Sequence, residues 1–153
     1  MVVEMEVREI ARSNNPENAV IVLGEKDGGQ REMPILTDLY QAMFLEMAVA
    51  RRTSERPLTH DLVLNVIGGM QGTLRRVLID KCDSVGGHDV FFAKLDIALK
   101  DNTNVMIDSR STDAIVLAAK AGVPIHVNES VLSRITQLSN DPDDSESPAD
   151  GEE

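Results

Sequence analysis

Leu74-Arg75-Arg76-Val77-Leu78-Ile79-Asp80 and Val90-Phe91-Phe92-Ala93-Lys94-Leu95-Asp96-Ile97-Ala98-Leu99 flank the segment Ser84-Val85-Gly86-Gly87-His88-Asp89. Both runs carry the branched and aromatic side chains that suit a pleated, half-buried surface, and the glycine-bearing segment between them reads as a hairpin loop. A hairpin joins antiparallel strands, whereas a regular βαβ repeat would need a crossover helix here. Phe91 and Phe92 fall on opposite strand faces, so one of them is expected in the core.

The same pattern opens the chain. Val3, Met5 and Val7 alternate towards Ile10, and Ala19-Val20-Ile21-Val22-Leu23 follows the turn-rich Ser13-Asn14-Asn15-Pro16-Glu17-Asn18. Asp27-Gly28-Gly29-Gln30 makes a second turn before a short strand from Glu32 to Leu36, after which Thr37 or Asp38 caps a helix to about Arg52. Leu39, Met43, Leu45, Met47 and Val49 include helical spacings, and thioethers on that face fit a core. Downstream of the linker Thr53 to Leu58, a helix from His60 runs to about Met70, where Gly68, Gly69 and Gly72 end it. A strand is expected at Asn104 to Asp108, a helix from Thr112 to Ala121 stopped by Gly122, and a short strand at Ile125 to Val127. Asn128 or Ser130 then caps a helix to about Leu138. The count is about seven strands and four helices, with hairpins first and helices interspersed. It predicts a single α+β domain, residues 1–139, with a mixed, mostly antiparallel sheet.

Length and composition agree with one domain: 153 residues, 42% of them apolar. No apolar run approaches the roughly 18 residues of a membrane span, and the N-terminus lacks a basic region followed by an apolar one. A soluble, non-secreted, cytoplasmic protein is therefore expected. Cys82 stands alone, which excludes an intrachain disulfide and a cysteine-built zinc site. The net charge is −11, but residues 140–153 hold seven acidic residues and no basic one, and their low hydrophobicity predicts a disordered acidic tail. The rest carries 19 acidic against 15 basic residues, leaving −4. No whole-surface attraction for nucleic acid follows, only room for a local cationic patch. Aromatic residues make up 3% of the chain, too few for extended base-stacking platforms.

Two segments place chemistry at predicted helix starts. In Arg56-Pro57-Leu58-Thr59-His60-Asp61-Leu62, Pro57 keeps Arg56 out of the helix, Thr59 can cap it, and His60 and Asp61 occupy the first turn. The positive dipole end disfavours imidazolium, so His60 can serve as a general base or metal ligand, or simply hydrogen-bond a nearby carbonyl. Asp61 can be catalytic or merely complement the dipole. In Ile107-Asp108-Ser109-Arg110-Ser111-Thr112-Asp113, Asp108 and Asp113 flank Arg110. They could hold Mg²⁺ or Mn²⁺, or Asp113 could form a structural pair with Arg110 beside a Ser111 cap. Arg56 and Arg110, with the free N–H groups of both helix starts and Thr59, could bind a phosphate. Asp61 and Asp113 would repel that phosphate unless a cation lay between. Lys81, Lys94, Lys100, Arg75 and Arg76 read as solvated, with Arg75 and Arg76 able to extend a substrate track. No phosphate-binding loop or nucleophile elbow is present.

The RPLTHDL run, Met33-Pro34-Ile35 ahead of the first helix, the Ile107–Ile115 segment, Pro124-Ile125-His126-Val127 and the helix near Glu129 resemble, in order across residues 1 to 135, the bifunctional nuclease family. Its members are small bacterial and plant domains assigned DNase and RNase activity. Three departures from its pattern stand out: Asp38 for Gly, Gln41 for Glu, and Ser111-Thr112 for Pro-Ser. The resemblance implies hydrolysis of phosphodiester bonds in DNA and RNA, assisted by a divalent cation. Within that reading His60 and Asp61 are the catalytic pair, Asp108 and Asp113 the metal ligands, and Arg56, Arg110 and Thr59 the substrate grip. The rival is a non-catalytic module binding a small anion or a protein partner, and a homo-oligomer stays open in both.

Overall fold

Strand and helix follow directly from where the chain alternates and where it turns. The computed structural model describes residues 1–140; the acidic residues expected to be disordered from 141 onward lie outside the described residues. The elements are β1 (Val2–Arg12), β2 (Asn18–Glu25), β3 (Glu32–Asp38), α1 (Leu39–Val49), α2 (Thr59–Gly69), β4 (Thr73–Val85), β5 (His88–Ala98), β6 (Asn104–Arg110), α3 (Ser111–Ala121), β7 (Ile125–Asn128) and α4 (Glu129–Asn140). Among the described residues no helix is long and apolar enough to cross a membrane.

The seven strands form one sheet in the order β3-β2-β1-β7-β4-β5-β6. Two antiparallel meanders, β1-β2-β3 and β4-β5-β6, are joined through β7, which pairs antiparallel with β1 and parallel with β4. That parallel pair needs a crossover, which α3 supplies after β6. Gly122 ends α3 in the left-handed region at φ 67°, and Pro124 follows just before β7. The β4–β5 hairpin is tighter than its sequence suggests. Ser84 pairs with Asp89 and Val85 with His88, so the loop shrinks to Gly86-Gly87, both at positive φ, the two-residue turn that matches strand twist.

α1 and α2 both pack on α3, and the three form one layer over the sheet. Beneath and between them lie Ile21, Leu23, Met33, Leu45, Ile79, Ile115 and Val127, all buried. α4 packs on β4 and β7, and its Ile135 and Leu138 share a groove with Val20, Pro34, Leu36 and Phe91, which alternate with the inward residues of their strands. Phe91 packs on the core, while Phe92 sits under Lys81, 5.3 Å from the ring centre. The apolar face expected of α1 is only partly its buried face: Leu45 is buried and Leu39 and Met47 half-buried, but Met43 and Val49 are exposed, and Gln41, Ala42 and Ala48 complete the buried side. Because α1 is apolar almost all round, size selects the face, and small residues let it lie close to α3. Arg76 is no solvated strand residue either, since it donates to Asp96 at 2.9 Å and lies 3.0 Å from His126 Nδ1.

A second tie joins the helices. Asp61 accepts from Lys120 Nζ at 2.8 Å and from the Leu58 N–H at 2.9 Å, closing the first turn of α2 and fastening it to α3. The Lys120 hydrogen bond, then that of Leu58, hold the Asp61 carboxyl below the usual aspartate range. A lowered carboxylate pKa stabilises the fold above the unfolded-state value and loses that contribution as pH falls through the folded one. Asp61→Asn should therefore melt below the wild type at pH 7, the gap narrowing below about pH 4. Ile115→Ala, at a fully buried site, should cost about 3 kcal/mol in urea unfolding.

Candidate active site

Three helices and the end of β6 enclose a cleft of about 700 Å³. Gln41 and Phe44 reach it from α1, Thr59, His60 and Val63 from α2, Asp108 and Arg110 from β6, and Asp113 from α3. At its centre Asp113 Oδ1 lies 3.0 Å from His60 Nε2 and accepts from Gln41 Nε2 at 3.1 Å. Asp113 Oδ2 accepts from Arg110 Nε at 2.6 Å, the i,i+3 spacing at the start of α3. Burial pushes the Asp113 carboxyl up, but hydrogen bonds from Arg110 and His60 outweigh it, so its pKa lies below the usual aspartate value. The carboxylate is therefore ionised at neutral pH.

An ionised Asp113 facing Nε2 requires a proton on that nitrogen, and in the neutral imidazole this tautomer leaves the lone pair on Nδ1. Among the described residues no side chain or backbone group binds Nδ1. The ring is 5% exposed as a residue and wedged edge-on against Phe44, centroids 5.6 Å apart, which limits its rotation. Gln41 adds an acceptor: its Oε1 is buried without a partner among the described residues.

The cleft thus joins His60, Asp113, Arg110, Thr59 and Asp108. Thr59 lines it but does not cap α2: the N-cap residue is Leu58, and the first-turn acceptor comes from Asp61. Ser111 is likewise not a cap; Arg110 holds that position in α3, without a side-chain cap bond. Asp61 is not among the residues lining the cleft, being engaged by Lys120. Arg56 is exposed on the α1–α2 connector and is also outside the lining, with no partner for its guanidinium among the described residues. Sequence gave no role to Gln41 in the cleft, or to Phe44 and Lys120; each sits on an ordinary helical position whose neighbours are fixed only by packing.

The donor set does not fit a resident divalent cation. Both Asp113 oxygens are spent on cationic or amide donors, leaving Asp108 as the other carboxylate in the lining, and no three His, Cys, Asp or Glu converge among the described residues. A hard cation wants several free oxygens at once.

The family model of the bifunctional nuclease domain matches residues 21–139. Uncharacterized proteins from two strains of Mycobacterium tuberculosis, CDC 1551 / Oshkosh and ATCC 25618 / H37Rv, are each 29% identical over 143 residues, covering 92% of this chain and 82% of theirs. Bifunctional nuclease 1 of Arabidopsis thaliana is 29% identical over 111 residues, 71% of this chain but 33% of the plant protein. With the cleft bounded by residues 41 to 117, inside the matched span, the chain belongs to the bifunctional nuclease domain family.

Proposed function

We propose that this domain hydrolyses phosphodiester bonds of DNA and RNA in the α1–α2–α3 cleft, with His60 as general base. The observation that carries the reading is the 3.0 Å His60–Asp113 pair on the cleft wall. Asp113 accepts a hydrogen bond from Nε2–H, so Nδ1 can take a proton from an attacking water, or from a ribose 2′-hydroxyl in RNA. As the new P–O bond forms, the P–O bond to the leaving oxygen breaks, and that oxygen takes its proton from the imidazolium or from solvent. Asp113 acts here as a positioning residue: it sets the tautomer and stabilises the imidazolium that forms. Arg110 commits Nε to Asp113, which leaves both Nη groups for phosphate oxygens as charge develops on them. The uncapped N–H groups of α3 add a fixed positive pole beside it.

Asp61, once a candidate partner of His60, is read instead as the fastening of α2. No step runs through Mg²⁺ or Mn²⁺, because the donor set above does not fit one; Asp108, exposed on the rim, is the carboxylate free to meet a cation carried in with nucleic acid. The second reading, a non-catalytic module for a small anion or protein partner, draws on the same Asp113: a carboxylate with every oxygen satisfied also describes a structural knot.

Purified protein incubated with single- and double-stranded DNA and RNA, with Mg²⁺, with Mn²⁺ and with chelator, decides between them. Cleavage should fall at least about a hundredfold in His60→Ala and by about tenfold or more in Asp113→Asn, while Asp61→Asn retains it at a lower melting temperature. Cleavage that survives both His60→Ala and Asp113→Asn overturns the assignment. Folded wild-type protein that binds oligonucleotide without cutting it under any of the three conditions supports the module.

A further inference from the structure

From the α1–α2 connector we infer a polyanion grip: Arg51, Arg52 and Arg56 bind the phosphodiester backbone of a nucleic-acid strand whose scissile phosphate lies in the His60 cleft. The inference rests on the nuclease reading for the second half of that statement and on geometry for the first. α1 and α2 both line the cleft, through Phe44 and His60, and the connector runs outside that lining from the end of α1 to the start of α2, with Arg56 four residues ahead of His60. At 1.5 Å per residue, Arg51 lies roughly 10 Å beyond Phe44 along α1. Residues 51–57 are all exposed.

Charge pairing sets this segment apart. Arg8, Arg12, Arg31, Arg76, Arg110 and Arg134 each have a carboxylate or carbonyl partner, and so do Lys26, Lys81, Lys94 and Lys120. The guanidinium groups of Arg51, Arg52 and Arg56 have none among the described residues, although Glu55 lies between them in sequence. In an acidic domain that neutralises most of its cations internally, this is where unneutralised charge collects, on the segment that leads into the His60 helix.

Backbone strain gives an independent sign. Arg52 N–H donates to Met47 C=O and Arg51 N–H to Ala48 C=O, the paired bonds of a helix ending that puts its next residue in the left-handed region. Arg51 occupies that position at φ 53°, where glycine is favoured. A side chain kept against its own backbone preference points to use of the side chain.

Binding of a fluorescein-labelled single-stranded DNA oligonucleotide is measured by anisotropy against salt, in a His60→Ala background so that no cleavage intervenes. Replacing all three arginines by glutamine should weaken binding about tenfold or more at 0.1 M salt and reduce the slope of log K against log salt by about 2. Arg75→Gln with Lys100→Gln, the remaining unpaired cations, should change it by less than about twofold. Arg51→Gly should raise the melting temperature by about 3 °C while weakening binding, a combination a purely structural arginine does not produce. Equal losses in the triple variant and the Arg75/Lys100 control, or unchanged affinity in the triple variant, overturn the grip. Cleavage by the wild type with unaltered binding in the triple variant sinks the grip alone; arginine-dependent binding without wild-type cleavage sinks the nuclease reading alone.

Discussion

The Asp113 carboxylate holds one hydrogen-bond partner on each neighbouring helix and a third at the end of β6. Gln41 fixes the first turn of α1, His60 the first turn of α2, and Arg110 the junction at which β6 becomes α3. A single ionised group, partly withdrawn from water, thereby sets the distances among three elements that share no sequence neighbourhood. Burial alone pushes this carboxyl's pKa up; its partners more than offset that push. Losing a partner would expose the whole desolvation cost, which is why such a group rigidifies its surroundings more than an exposed ion pair does. The Lys120–Asp61 pair adds a second tie two turns further along α3, on the residue next to His60, and opposes pivoting of α2 about His60.

This knot needs a platform, and β7 provides it. Four residues inserted between β1 and β4 turn two separate meanders into one sheet, with Ile125 and Val127 buried at the seam. The parallel β4–β7 pairing forces the chain over the sheet through α3, so the helix bearing Asp113 crosses the face on which α1 and α2 must pack. Topology thus brings Asp113 against His60. His60 is the one buried residue of α2, a helix that otherwise keeps a half-exposed apolar surface, and its burial against Phe44 and Asp113 is what orients that helix.

Much of this fold was legible in the sequence. Alternation in β1, β2 and β5, the Asp38 cap, and the Gly122–Pro124 stop each carry a local cause that acts before any tertiary contact forms. The α+β class and the seven strands follow from those local causes. What sequence did not carry was relational. The buried face of α1 depended on how closely α3 approaches, so bulky Met43 was turned out and Ala42 in. Histidine and aspartate at two helix starts suggested a shared cleft, and His60, Asp108 and Asp113 do meet there. The division of labour among the acids was invisible, because Asp61 and Asp113 look alike in a first turn and differ only in whether Lys120 or His60 stands opposite.

The proposed handling of a polyanion by an acidic domain is less contradictory than the net charge suggests. At physiological salt, exposed charges act over roughly 8 Å, so the carboxylates of distant strands have little say at the cleft. What matters locally is whether a cation already has a partner. Arg110 is tethered to Asp113 through one nitrogen and still turns two outward, while Arg51, Arg52 and Arg56 are tethered to nothing described. Binding strength would then come from a few unpaired guanidinium groups releasing counterions from phosphates, and chemistry from a histidine oriented by a half-buried carboxylate. In that proposal binding and chemistry would reside on different segments, a connector and a helix layer, so that each could be weakened without unfolding the other.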